Sequence, residues 1–76
     1  MSRFTINKED GTEIAYGFDH ICGYFVQQFD PTEDGSEKVS VDLDNLTTSR
    51  IDIFEKMIEL GVPEEHYKYV ALDLPF

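Results

Sequence analysis

The sequence predicts an α+β fold: a small antiparallel sheet of three to four strands, one main helix packed on a face, and a short C-terminal helix. Three observations carry that prediction. Two alternating apolar runs near the N-terminus flank an Asp-Gly dipeptide, the signal of a hairpin. A third alternating run lies mid-chain. After it the apolar spacing changes to the three-and-four rhythm of a helix, and stops at Gly61 and Pro63. At 76 residues the chain is one domain, residues 1–76, with a small core.

Each element has its own residues behind it. Over residues 3–7, Phe4 and Ile6 fall on one face of a strand, and Lys8-Glu9-Asp10-Gly11 makes the turn. Residues 13–19 alternate again, with Ile14, Tyr16 and Phe18 inward and Glu13, Ala15, Gly17 and Asp19 outward. Residues 19–30 admit two readings. As a helix, Cys22, Phe25, Val26 and Phe29 share a face, with Asp19 as N-cap. As a strand, Tyr24 to Phe29 is rich in aromatic and β-branched residues, with Phe25 and Phe29 on one face and Tyr24 and Val26 on the other. The strand is favoured, because Gly23 weakens a helix interior by about 1 kcal/mol relative to alanine.

Residues 30–37 form a polar, acidic loop containing Pro31 and Gly35. Lys38 to Leu43 alternates as a strand, with Val39, Val41 and Leu43 inward. Thr48 or Ser49 caps a helix reaching about Leu60, whose stripe is Ile51, Phe54 and Ile58, broadened by Ile53 and Met57. Pro63-Glu64-Glu65 opens a second, short helix held down by Tyr67, Val70 and Ala71. The apolar tail from Leu72 to Phe76 lies on the domain.

Composition limits what the chain does. Six Phe and four Tyr suffice for a globular core and exclude a disordered acidic tail. The single cysteine, Cys22, has no internal disulfide partner, and the N-terminus shows no apolar signal core, so a reducing, cytoplasmic location is expected. No run of residues is long and apolar enough to suggest a membrane span. The net charge of −10 repels phosphates and anionic headgroups, which argues against direct nucleic-acid or membrane binding and for a basic protein or nucleoprotein partner. Solubility accounts for the same excess equally well.

Candidate chemistry is sparse. Asp30-x-Thr32-x-Asp34-Gly35 copies the start of an EF-hand loop, but Val41 stands where the bidentate glutamate belongs and Lys38 occupies position nine. A solvated turn is the better reading. Asp19, His20 and Cys22 lie close in sequence, yet zinc requires three or four well-spaced ligands and the other histidine, His66, is distant. A Cys22–His66 couple lacks an orienting group of any specificity. No metal, cofactor or catalytic residue is therefore assigned, and a non-enzymatic protein is expected.

Surface remains. Acid is densest over residues 31–46, where Glu33, Asp34, Glu37, Asp42 and Asp44 face one base, Lys38; Asp30 adjoins them. Glu55 and Glu59 sit four apart on the main helix, where like charges cost a few tenths (about 0.3 kcal/mol). Such carboxylates on a rigid scaffold imitate a phosphate backbone. Tyr24, Tyr67 or Tyr69 is expected at an interface, where tyrosine is a frequent anchor; capping of the core rim accounts for them equally well. The expected partner-binding set is thus Asp30, Glu33, Asp34, Glu37, Asp42, Asp44, Glu55, Glu59 and Tyr24.

Ala15-Tyr16-Gly17-Phe18-Asp19, then Gly23-Tyr24-Phe25 and Phe29-Asp30, resembles a pattern in small uncharacterised bacterial proteins. The stretch from Gly61-Val62-Pro63-Glu64-Glu65-His66 to Ala71-Leu72-Asp73-Leu74-Pro75 adds to the likeness, which implies no residue-level role. In size, acidity and α+β plan the chain is also similar in type to anti-CRISPR proteins and other DNA-mimicking inhibitors of phages and mobile elements. That resemblance implies an inhibitor blocking a basic nucleic-acid-binding surface. A small adaptor or regulatory protein binding through exposed aromatics is the alternative.

Overall fold

In the computed structural model, which describes residues 2–76, a four-stranded antiparallel sheet carries two helices. The strands β1 (Ser2–Asn7), β2 (Glu13–Asp19), β3 (Gly23–Pro31) and β4 (Glu37–Asp44) lie side by side in chain order. Helices α1 (Arg50–Glu59) and α2 (Glu64–Ala71) follow. The helices differ little in length, so the expected contrast of a main and a minor helix is only partly met.

Strand pairing follows from side-chain alternation. Phe4, Tyr16, Val26 and Leu43 stand in one row across all four strands, and Ile6, Ile14, Gln28 and Val41 in the next. This inner face meets Ile53, Met57, Leu60, Val62 and Val70 in one core. The segment 23–31 is a strand, as favoured, and Tyr24 and Val26 point inward. The loop between β3 and β4 is shorter than expected, because both strands extend into it.

One turn design is used twice. Lys8-Glu9-Asp10-Gly11-Thr12 and Thr32-Glu33-Asp34-Gly35-Ser36 each close with an amide of the fourth residue donating to the carbonyl of the first. The first residue's amide then donates to the carbonyl of the fifth. Gly11 and Gly35 have φ of +92° and +85°, a region costly for residues with a Cβ. This is the three-residue hairpin loop with a glycine bulge. In both turns the aspartate accepts the amide of the residue after glycine, at 2.9 and 3.0 Å.

Two expectations about packing are corrected. Val39 does not face inward: the register shifts between Gln28 and Phe29, so Val41 pairs with Gln28 but Val39 pairs with Phe29. The extra residue of this bulge turns Val39 to the outer face, where it is 49% exposed. On α1 the buried stripe is Ile53, Met57 and Leu60, while Ile51 and Ile58 are exposed. Phe54 turns sideways and meets Tyr67 of α2 edge-on, with ring centroids 5.7 Å apart. On α2, Val70 is buried and Ala71 is exposed.

The helix ends explain how the layer is held. Ser49 caps α1 by accepting the Asp52 amide, and both helices end in paired amide-to-carbonyl bonds of the Schellman type. Gly61 takes the left-handed position after α1, and Asp73 (φ 57°) takes it after α2. Arg50 crosses from α1 to donate to the carbonyls of Val70 and Ala71, at 2.7 and 3.0 Å. A cation at a helix C-terminus also complements the helix dipole.

Candidate interaction surface

Both helices cover one face of the sheet, which leaves the other uncovered. Three register rows build that outer face: Arg3, Gly17, Phe25 and Asp44; Thr5, Ala15, Gln27 and Asp42; and Asn7, Glu13, Phe29 and Val39. In the first row Gly17 has no side chain, so the Arg3 guanidinium reaches across it to within 6.0 Å of the Phe25 ring centroid. In the second, the Gln27 amide donates to Asp42 at 3.2 Å. A shallow depression of about 240 Å³ lies here, lined by Asp19, Cys22, Phe25, Asp42 and Asp44 among others.

The expected partner-binding residues divide into groups. Asp42 and Asp44 share the outer face of β4, and Glu37, opposite Pro31, shares that side. Glu33 and Asp34 form the exposed hairpin tip. Asp30 turns the other way: it lies opposite Lys38 and accepts from the Gln28 amide at 2.7 Å. Glu55 and Glu59 belong to α1, beyond the sheet from Asp42 and Asp44, and Glu59 is paired with Lys56 at 3.0 Å. Among the described residues the two ion pairs are Lys56–Glu59 and Arg50–Asp73, so the carboxylates from Asp30 to Asp44 are left without an ion-pair partner of the chain's own.

Tyr24 does not belong to the surface. It is 3% exposed, in the core, and its hydroxyl donates to the Leu74 carbonyl at 2.9 Å. The strand alternation that places Val26 inward places Tyr24 inward with it. Tyr67 and Tyr69 are half-buried, Tyr69 stacking on Phe76. The aromatics that do reach the outer face are Phe25 and Phe29, which the strand reading paired correctly but to which sequence attached no role.

Several carboxylates already hold the backbone. Asp34 accepts from the Thr32 hydroxyl, then from the Ser36 hydroxyl and amide, and these bonds hold its carboxyl down to about 2. Asp19 accepts the amides of Ile21 and Cys22, and Asp10 that of Thr12; both are lowered for that reason. Bonds to the charged form favour it, so these carboxylates support the fold above their unfolded pKa of about 3.9 and lose that role as pH falls through the folded value. The Ser36 amide resonance is therefore expected to follow Asp34 with a midpoint near 2. A midpoint at the ordinary aspartate value would show that Asp34 does not hold the turn.

Of the candidate ligands, Asp19 and Cys22 lie together, the Cys22 amide donating to Asp19 at 3.2 Å, whereas Cys22 and His66 are kept apart. Cys22 opens on the outer face, where desolvation and then Asp19 and Asp44 raise its pKa and disfavour the nucleophilic thiolate. His66 lies on the helix side, its Nδ1 hydrogen-bonded to the Tyr16 hydroxyl at 2.5 Å and its ring stacked on Phe4 at 4.3 Å. The sheet separates the two. Among the described residues, no three His, Cys, Asp or Glu side chains converge as metal ligands. Among the described residues, no helix is long and apolar enough to cross a membrane.

No protein-family model, curated protein or solved structure matches the chain. Its chemistry therefore rests on these side chains. A second, larger cleft of about 450 Å³ lies at the helix side, lined by Phe4, Glu65, His66, Lys68, Tyr69, Pro75 and Phe76.

Proposed function

We propose that this chain is a non-enzymatic binding protein whose acidic sheet face and hairpin occupy a basic, nucleic-acid-binding surface of a protein partner, as an anti-CRISPR does. One observation carries the reading: Asp42, Asp44 and Glu37 project from the same uncovered side of β4, with no ion-pair partner among the described residues. Asp42 and Asp44 are two strand residues apart, about 6.7 Å, comparable with the spacing of successive phosphates along a nucleic-acid strand. Glu37 and Asp42 are exposed and Asp44, whose Oδ1 accepts the Leu46 amide at 2.9 Å, is half-buried; unneutralised carboxylates of this kind steer a cationic partner from a distance.

The test is competition on a basic nucleoprotein effector. The unaltered chain is expected to displace nucleic acid from it, with an affinity that falls steeply as salt rises. The double reversal Asp42→Lys with Asp44→Lys should weaken binding by about a hundredfold or more, on the scale of close charge pairs at interfaces. Equal binding by the reversed protein rules out charge mimicry by this face. The aromatic cleft beside His66 favours a second reading, an adaptor binding through Phe4, Tyr69 and Phe76. Binding of that kind largely persists in high salt.

A further inference from the structure

We propose that the free edge of β4 receives an extended segment of the basic partner as a fifth strand; this rests on the reading above, that the partner is basic. β4 ends the sheet, so its outward backbone groups have no strand beside them. The bulge at Phe29 and Val39 interrupts the ladder, and the regular run left for pairing is Val41 to Asp44. Along that run the two faces differ in chemistry. Asp42 and Asp44 point outward, while Val41 and Leu43 point to the helix side and are half-buried.

A neighbouring strand presents its side chains to the same faces as the residues it pairs with. The segment that fits therefore alternates: Lys or Arg at two positions, i and i+2, opposite Asp42 and Asp44, with apolar residues between and beside them opposite Val41 and Leu43. Phe54 turns towards Tyr67 of α2, and the opposite flank of α1 carries Asp52, Lys56 and Glu59. Lys56 is tied to Glu59, so this flank is also net acidic. The basic side chains of an added strand thus meet Asp42 and Asp44 on the outer face.

A second copy of the chain fits this edge poorly. It brings the same acidic β4 and a net charge of −10. Main-chain pairing supplies affinity in strand addition, and alternate side chains supply selection. The charged edge thus disfavours acidic strands, including its own, and favours an alternating basic one.

Three synthetic peptides test the proposal: one alternating lysine and valine, one of the same composition in two blocks, and the alternating one N-methylated at every second residue. Amide exchange and chemical shifts of Val41 to Asp44 are the readout. The alternating peptide is expected to slow exchange of the outward amides of β4. N-methylation should weaken it about tenfold or more, as the loss of one or two hydrogen bonds implies. If all three bind equally, with salt-sensitive affinity and no protection of β4, strand addition is overturned while the basic-partner reading stands. If none binds even at low salt, both fall.

Discussion

Gly17→Ala is expected to loosen β1 from the sheet and to be among the most damaging single-methyl changes in this chain. A Cβ built at Gly17 lies 2.2 Å from the Ser2 carbonyl oxygen, 2.8 Å from its carbon and 3.2 Å from the Arg3 Cα. All three are backbone atoms of β1, so no side-chain rotamer relieves the clash and the strand itself must move. Overpacking costs typically about 1–3 kcal/mol, and a site with no flexible neighbour belongs at the top of that range. Displacing β1 also strips Phe4 from Tyr16, His66 and Phe76, with which it stacks at 5.5, 4.3 and 5.9 Å. Urea unfolding should show a lower midpoint, and the amides of Ser2 to Asn7 should exchange faster than those of β3. An unchanged midpoint would mean that β1 is not seated against Gly17 as described.

The second large effect separates two apolar stripes on one helix. Met57→Ala removes a fully buried side chain from the centre of the core, for which about 2–5 kcal/mol is expected. Ile58→Ala, one residue on, removes a side chain 47% exposed, and should stay within about 0.5–1 kcal/mol. Domains of this size have little stability to spare, so Met57→Ala populates the unfolded state at ordinary temperature. Thermal melts of the two variants give the comparison. If Ile58→Ala proves the more damaging, α1 is rotated on the sheet from the orientation described.

These two sites also show where sequence reasoning stopped. Ile51, Phe54, Ile58 and Ile53, Met57, Leu60 are both valid helical stripes, and periodicity alone does not choose between them. The choice came from contact with Tyr24 and Val26 below and from Phe54 meeting Tyr67 beside it. Gly17 read as an ordinary outward position of an alternating strand. Its necessity comes from the approach of Ser2, fifteen residues earlier, which no local pattern shows.

The candidate surface was partly legible. The acids from Asp30 to Asp44 are visible in the chain, and alternation alone places Asp42 and Asp44 on one face of β4. It also separates Phe25 and Phe29 from Tyr24 and Val26, but alternation does not choose which face is inward, and only the packing against the helices buries Tyr24. Val39 was misplaced because a bulge inserts a residue against one partner strand and leaves no mark in the periodicity of its own. The turns were legible in outline, since Asp-Gly appears at both hairpins. That Asp34 is committed to the amide and hydroxyl of Ser36 emerged only with the turn closed.

By itself the sequence determined the acidity, an antiparallel sheet of three to four strands followed by two helices, and the inward set of β2, because each depends on residue type and short-range spacing. Only the tertiary structure decided which stripe of α1 is core, which aspartates are bound to backbone, and that one sheet face and the β4 edge stay uncovered. Those outcomes depend on which surfaces meet, and contact between residues far apart in the chain is set by packing rather than by local pattern.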